Sequence, residues 1–150
     1  GFNTVLNYAY TDGKVTKVAA GVTSMKVDDV IPGFAKHTAN AWLSYTLQTG
    51  ALKGLGINGG FTYYGGRAVS TYSAEQPEQN VPDYFKLDGG VFWQNKKISV
   101  TANLFNILDK YLYTGAYYTG YWNAPDYDLP VYSWQAEPPR NFRVSVAYKF

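Results

Sequence analysis

The sequence predicts an all-β fold of antiparallel strands, and three observations predict it. Apolar and polar residues alternate in segment after segment, the period-two signature of a strand with one apolar face. Aromatic residues make up 18% of the chain, with 15 Tyr and 15 Gly against a single Met, a balance that favours strands and turns over helices. The connections alternate between short turns and long loops, as in a transmembrane barrel.

The elements follow in chain order. Phe2 to Thr11 reads as a first strand with the least regular polarity, followed by a long loop to about Ala35. Thr38 to Leu47 places Ala39, Ala41, Leu43 and Tyr45 on one face, and Leu55 to Tyr64 does the same with Leu55, Ile57, Phe61 and Tyr63. Thr49-Gly50 and Lys53-Gly54 punctuate the short link between them. After a medium loop from Arg67 to Asp83, Phe85, Leu87, Val91 and Trp93 alternate with Tyr84, Lys86, Asp88 and Phe92. A tight turn at Asn95-Lys96 returns the chain along Ile98, Val100, Ala102 and Leu104, a hairpin. A long loop from Asp109 to Pro139 precedes the last strand, where Phe142, Val144, Val146, Tyr148 and Phe150 alternate with Arg143, Ser145, Ala147 and Lys149. The count is about six strands.

Composition excludes several function classes. The formal charge is +2 with Lys and Arg spread singly along the chain, so the basic stripe of a nucleic-acid binder is missing. Without Cys there are no disulfides, thiolate metal sites or cysteine nucleophiles. His37 is the only histidine, so no His cluster can hold a metal, and it has no evident nucleophile partner for hydrolysis. Asp28-Asp29 falls in a loop and lacks the spaced oxygens of a calcium site. No catalytic residues are expected, and the chain is not read as an enzyme. No apolar run is long enough for a transmembrane helix, although a spanning strand needs only about 10 residues of alternating polarity. Tyr45, Tyr63, Trp93, Tyr148 and Phe150 sit near strand ends, as an interfacial girdle does. A soluble β-sandwich that binds glycans through Tyr and Trp also alternates faces and remains the rival account. No signal peptide precedes the first strand, so a membrane-barrel reading expects that Gly1 is not the natural start.

Several stretches, in order, resemble the C-terminal barrel of TonB-dependent siderophore receptors of the ferrichrome and hydroxamate group. They are Ile31-Pro32-Gly33 leading to Lys36-His37-Thr38-Ala39-Asn40, Leu52-Lys53-Gly54-Leu55 with Gly59-Gly60, Tyr64-Gly65-Gly66-Arg67, and Val81-Pro82-Asp83-Tyr84. Asn103-Leu104-Phe105-Asn106-Ile107-Leu108-Asp109-Lys110-Tyr111 and Glu137-Pro138-Pro139-Arg140-Asn141-Phe142 complete the set. The resemblance implies that residues 1–150 are the C-terminal part of a large plugged barrel in the bacterial outer membrane, with the plug domain absent from this chain. It implies as partners the remainder of the barrel and its plug, the TonB complex, outer-membrane lipid and the barrel assembly machinery, and it includes no nucleic acid. The ligand is then a ferric siderophore, transported already wrapped by its chelator, with no cofactor bound directly; another nutrient, such as a vitamin, a carbohydrate or heme, is the alternative cargo. The turns near Thr49 and Asn95 would face the periplasm and the long loops the outside.

Against that frame the aromatic loop from Tyr111 to Trp134 is the candidate ligand surface, with Tyr117, Tyr118, Tyr121, Trp122, Tyr132 and Trp134 as contact residues, since such side chains combine broad rigid area with a polar tip. Packing of the loop on its neighbours is the alternative role for each. Arg67 could attract an anionic chelate, and Arg140 similarly, or each could serve a rim ion pair. Lys86, Asp88, Lys97 and Arg143 are expected to pair with one another or with the plug. The terminal Phe150, Tyr148 and Val146 resemble the signal read by the assembly machinery.

Overall fold

The structure is a computed structural model that describes residues 1–22, 25–69, 80–124 and 127–150, with the backbone alone for 120–124 and 127–130. Its described residues contain strands and no helix. In chain order these are β1 (Phe2–Tyr10), β2 (Ala35–Thr46), β3 (Leu55–Ala68), β4 (Asn80–Val81), β5 (Tyr84–Gln94), β6 (Ile98–Phe105), β7 (Tyr113–Ala124), β8 (Tyr127–Ala136) and β9 (Asn141–Tyr148).

Six of them form one antiparallel path, β1-β2-β3-β5-β6-β9, with the short β4 on β3, and β7-β8 form a separate hairpin. The six are the strands expected from alternation. Three more were not anticipated. Residues 109–139, expected as a long loop, carry the β7–β8 hairpin, and the expected loop 67–83 carries the end of β3 and β4. Gly115 and Gly120 beside register shifts in β7 and Pro130 in β8 broke the alternation that marks a strand.

Register sorts every side chain onto one of two faces. Phe2, Leu6, Tyr8 and Tyr10 of β1 lie beside Tyr45, Ala41, Ala39 and His37 of β2. The same face continues through Ile57, Phe61 and Tyr63, then Val91, Leu87 and Phe85, then Val100 and Ala102, and ends on Val144, Val146 and Tyr148. No second sheet covers this face among the described residues, and Leu6 is 72% exposed, Ile57 60% and Val146 69%. A sandwich buries such a face, whereas a barrel turns it to lipid. Trp93 and Phe85 mark its two aromatic borders on β5; the eight-residue step between them spans about 27 Å along a strand and about 20 Å of height at a tilt of about 40°, close to the apolar band of a membrane barrel. The sheet remains open, with β1 and β9 as its edges.

The opposite face holds Asn40, Thr62 and Lys86 in one row and Asn103 with Arg143 in another, together with two large rings that lie against glycines of the next strand. A Cβ on Gly60 would come 2.4 Å from the Trp42 ring and 2.1 Å from the Ala41 carbonyl, and one on Gly56 would come 2.3 Å from the Phe92 ring. Gly60→Val is therefore expected to destabilise the sheet by about 1–3 kcal/mol, the usual range for overpacking, read as a lower denaturant midpoint of the barrel in lipid.

The turn end is tightly built. Asn95 Oδ1 accepts from the N–H groups of Lys97 and Ile98, the Asx geometry that lets Asn replace a backbone acceptor. Gly54 holds φ +89°, and a Cβ there would overlap the Gln94 carbonyl, so the short link after β2 requires glycine.

Candidate functional site

At the opposite end, where the long connections gather, β6 does not simply stop. Asn106, 1% exposed, takes φ +51° and Asp109 φ +52°, and the chain kinks between them. Asn106 donates from Nδ2 to the Lys110 carbonyl at 2.9 Å and accepts on Oδ1 from the Lys110 N–H at 3.2 Å. Its own N–H donates to Asp88 Oδ1 at 2.8 Å. Asn is suited to this place because it tolerates the left-handed region and carries both a donor and an acceptor. Beyond the kink the Glu137 N–H donates to the Leu112 carbonyl, so β7 and β8 extend the β6 and β9 pair as a hairpin rising from the sheet.

A second set of contacts ties that hairpin down. Arg67 at the end of β3 is only 7% exposed. It donates from Nη1 to the Thr114 carbonyl at 3.0 Å and from Nη2 to the Pro82 carbonyl at 2.7 Å, while its guanidinium lies over the rings of Tyr64 and Tyr84. Val69, Val81 and Ala116 close a small apolar core beside it, with Tyr113 and Tyr132 packed on. Lys86 donates to Glu137 at 2.9 Å, a second tie between β5 and the base of β8.

The residues expected from sequence fall as follows. Tyr118 and Tyr132 meet edge to face at 5.8 Å, and Trp134 lies 5.2 Å from Tyr113, so these rings help to pack the hairpin. Tyr117 and Trp134 keep about two-fifths of their surface open, at 44% and 41%. The side chains of Tyr121 and Trp122 lie outside the described residues. Arg67 stands at the wall of a cleft of about 270 Å³ between β3, β4 and β7, lined also by Tyr117 and Gln135, but its fork is occupied by backbone carbonyls. Val146 and Tyr148 lie on the exposed apolar face of β9, and Phe150 extends past it with its ring against Tyr148 at 5.2 Å. Of the four charged residues expected to pair with one another or with the plug, none pairs with another of the four among the described residues: Lys86 takes Glu137, Asp88 accepts from Asn106, Arg143 lies over the Phe105 ring, and no ion pair forms on Lys97. Sequence reasoning missed Asn106 and Glu137 as structural keys; their places inside the Asn-Leu-Phe-Asn and Glu-Pro-Pro-Arg elements were the available signal.

Arg140 does form the rim ion pair. Its Nη2 meets Asp109 Oδ2 at 2.9 Å and its backbone N–H donates to Asp109 Oδ1. These bonds, the backbone one first, hold the Asp109 carboxyl below its ordinary 3.8. A carboxylate depressed in the folded state adds stability above its unfolded value and loses it as pH falls through the folded one. This contribution is thus expected to fade as pH falls below 3.8, and Arg140→Met, which keeps the backbone donor, to bring the Asp109 titration part of the way back; an unmoved Asp109 titration by NMR would refute the side-chain pairing.

The family model for the TonB dependent receptor-like β-barrel matches residues 1–107, from β1 through β6 to the Asn106 kink. A comparison with the curated proteins finds no match. The antiparallel sheet β1-β2-β3-β5-β6 with its bare apolar face is consistent with that match, and the chain belongs to the TonB-dependent receptor-like β-barrel family.

Proposed function

We propose that residues 1–150 are the C-terminal part of the barrel of a bacterial outer-membrane receptor that binds a ferric siderophore outside and imports it with TonB-derived energy. The carrying observation is the β7–β8 hairpin, pinned over the loop end of the sheet with the exposed rings of Tyr117 and Trp134 beside the cleft at Arg67. Rigid aromatic surface of this kind suits a bulky, partly apolar chelate. The open edges β1 and β9 would pair with strands of the parent chain, since an open edge is not tolerated in lipid. A plug would occupy the polar face, and the TonB complex would act through the plug side. Phe150, Tyr148 and Val146 would be read by the barrel assembly machinery. The process is binding and gated passage, with no chemical transformation of the cargo.

The test is tryptophan quenching of the intact receptor in detergent, titrated with a ferric hydroxamate, a ferric catecholate and a cargo that is not a siderophore, such as a vitamin, a carbohydrate or heme. Saturable quenching by the hydroxamate, weakened in Trp134→Leu, supports the reading. Quenching by the non-siderophore cargo alone keeps the receptor and replaces its cargo.

A further inference from the structure

Charge is divided between the two ends of this sheet. Residues 38–74, 89–108 and 138–150, which hold both short turns and the strand ends around them, contain no Asp or Glu. Among the described residues Asp12, Asp28, Asp29, Asp83, Asp109 and Glu137 all lie toward the loop end. The turn end instead carries Lys53 between β2 and β3, Lys96 and Lys97 between β5 and β6, and Lys149 just past β9, all of them exposed. None has an ion-pair partner among the described residues, in contrast to Lys14, Lys86 and Arg140. With neighbouring strands about 4.8 Å apart, these lysines are spread over about 15–20 Å of rim.

Two of them stand opposite each other. Tyr148 pairs with Ile98, and one step further the Lys149 N–H donates to the Lys97 carbonyl at 2.8 Å. Alternation puts both on the polar face with Asn103 and Arg143, and like charges facing each other across a strand pair cost stability. An anion from outside the sheet offsets that cost. Position narrows the choice of anion. Bilayer headgroups ring the apolar face, which is the other one. A plug inside the barrel meets the polar face of the strands, whereas Lys53 and Lys96 sit in the turns beyond the strand ends. An extended polyanion lying below the rim meets all of these lysines.

We propose that the turn end is a docking rim for peptidoglycan, with Lys53, Lys96, Lys97 and Lys149 pairing with the free carboxylates of its stem peptides. That mesh is the polycarboxylate beneath an outer membrane, and cations spaced along a rim meet a repeating anion without any pocket. Each exposed pair is weak alone, and several engaged together hold through their effective concentration. The contact anchors the receptor to the wall and leaves the loops and the lumen to the cargo. The proposal rests on the outer-membrane placement with the turns toward the periplasm, and not on the cargo.

Co-sedimentation of the intact receptor in detergent with isolated peptidoglycan sacculi tests it. The wild type is expected to sediment with sacculi at low ionic strength, to be released by about 0.5 M salt, and to ignore sacculi whose carboxylates have been amidated. Lys97→Gln with Lys149→Gln should weaken the apparent affinity about tenfold. It should not lower the temperature of heat-modifiable migration, because it also relieves the repulsion between the two. Lys17→Gln with Lys26→Gln removes the same charge from the loop end and should change nothing. Equal binding to amidated sacculi, an equal loss in the loop-end variant, or a turn-end variant that binds like wild type would each overturn the rim. So would a turn-end variant that binds sacculi normally and loses only bound phosphatidylglycerol, which would assign the lysines to lipid. Labelling of Lys53→Cys in intact cells by a maleimide too large to cross the outer membrane would sink the placement of the turns, and the rim with it. A shielded Lys53→Cys in a receptor that ignores sacculi overturns the docking alone.

Discussion

Asn106→Ala is expected to cost about 2–4 kcal/mol and to be among the most damaging single truncations in this chain. The side chain is the most deeply buried large one among the described residues. Its loss leaves both the N–H and the carbonyl of Lys110 without the partners they have now, and unmade buried bonds cost more than the net worth of made ones. Alanine is also a poorer occupant of φ +51° than asparagine, by about 1 kcal/mol. Asn106→Gly separates the two contributions, since it accepts the backbone but supplies neither bond. Asn106→Asp keeps the acceptor, loses the donor and places a second carboxylate near Asp88, which already receives the Asn106 N–H, so it should be worse than glycine. The measurement is the temperature of heat-modifiable migration of the intact receptor, with amide exchange of residues 106–112 to localise the change. Equal behaviour of alanine, aspartate and wild type would show that the kink is held by the strands on either side and not by Asn106.

That kink illustrates what could be read from sequence. Alternation found the six strands of the main path because each has one face toward lipid and one toward the polar interior, so burial imposes period two. It failed on β7 and β8 because they form a hairpin apart from the main sheet and do not share its apolar face. There Tyr118 pairs with Tyr132 and Trp134 with Tyr113 while Tyr117 is exposed, and aromatics on both sides of a strand erase the period. The motif residues were legible as a set without their reasons. In Val81-Pro82-Asp83-Tyr84 the reasons are local: Val81 is buried in the small core, the Pro82 carbonyl accepts Arg67, Asp83 accepts from the Tyr63 hydroxyl and the Gly66 N–H, and Tyr84 lies against the guanidinium. A motif that looks like a recognition element is a clasp joining the end of β3 to the start of β5. Charge partners were the least legible, because Lys86 and Glu137 are 51 residues apart and only the hairpin brings them together.

Arg67→Ala is expected to release the β7–β8 hairpin while leaving the six-stranded path intact. Sequence offered two roles for this residue, attraction of an anionic chelate or a structural pairing, and the geometry makes the two separable. The guanidinium spans from the Pro82 carbonyl on one side to the Thr114 carbonyl on the other, and hydrogen bonds from a charged donor are worth about 1.5–3 kcal/mol each. The apolar core beside it is small, so little else holds β7 to β4. Local opening of the hairpin should become easier by about 3 kcal/mol, or roughly a hundredfold in amide exchange of residues 113–119 and 131–136. Arg67→Lys decides between the roles. An ammonium keeps the positive charge but cannot present a planar fork to two carbonyls. If Arg67 serves by charge, Arg67→Lys should bind an anionic chelate with a nearly unchanged on-rate and the same salt dependence. If it serves as a pin, Arg67→Lys should lose most of the exchange protection that alanine loses, and binding should weaken in step with the hairpin's release even for an uncharged chelate. The two carbonyl bonds and the flanking Tyr64 and Tyr84 rings favour the pin, and a Lys variant with full protection of the hairpin would refute it.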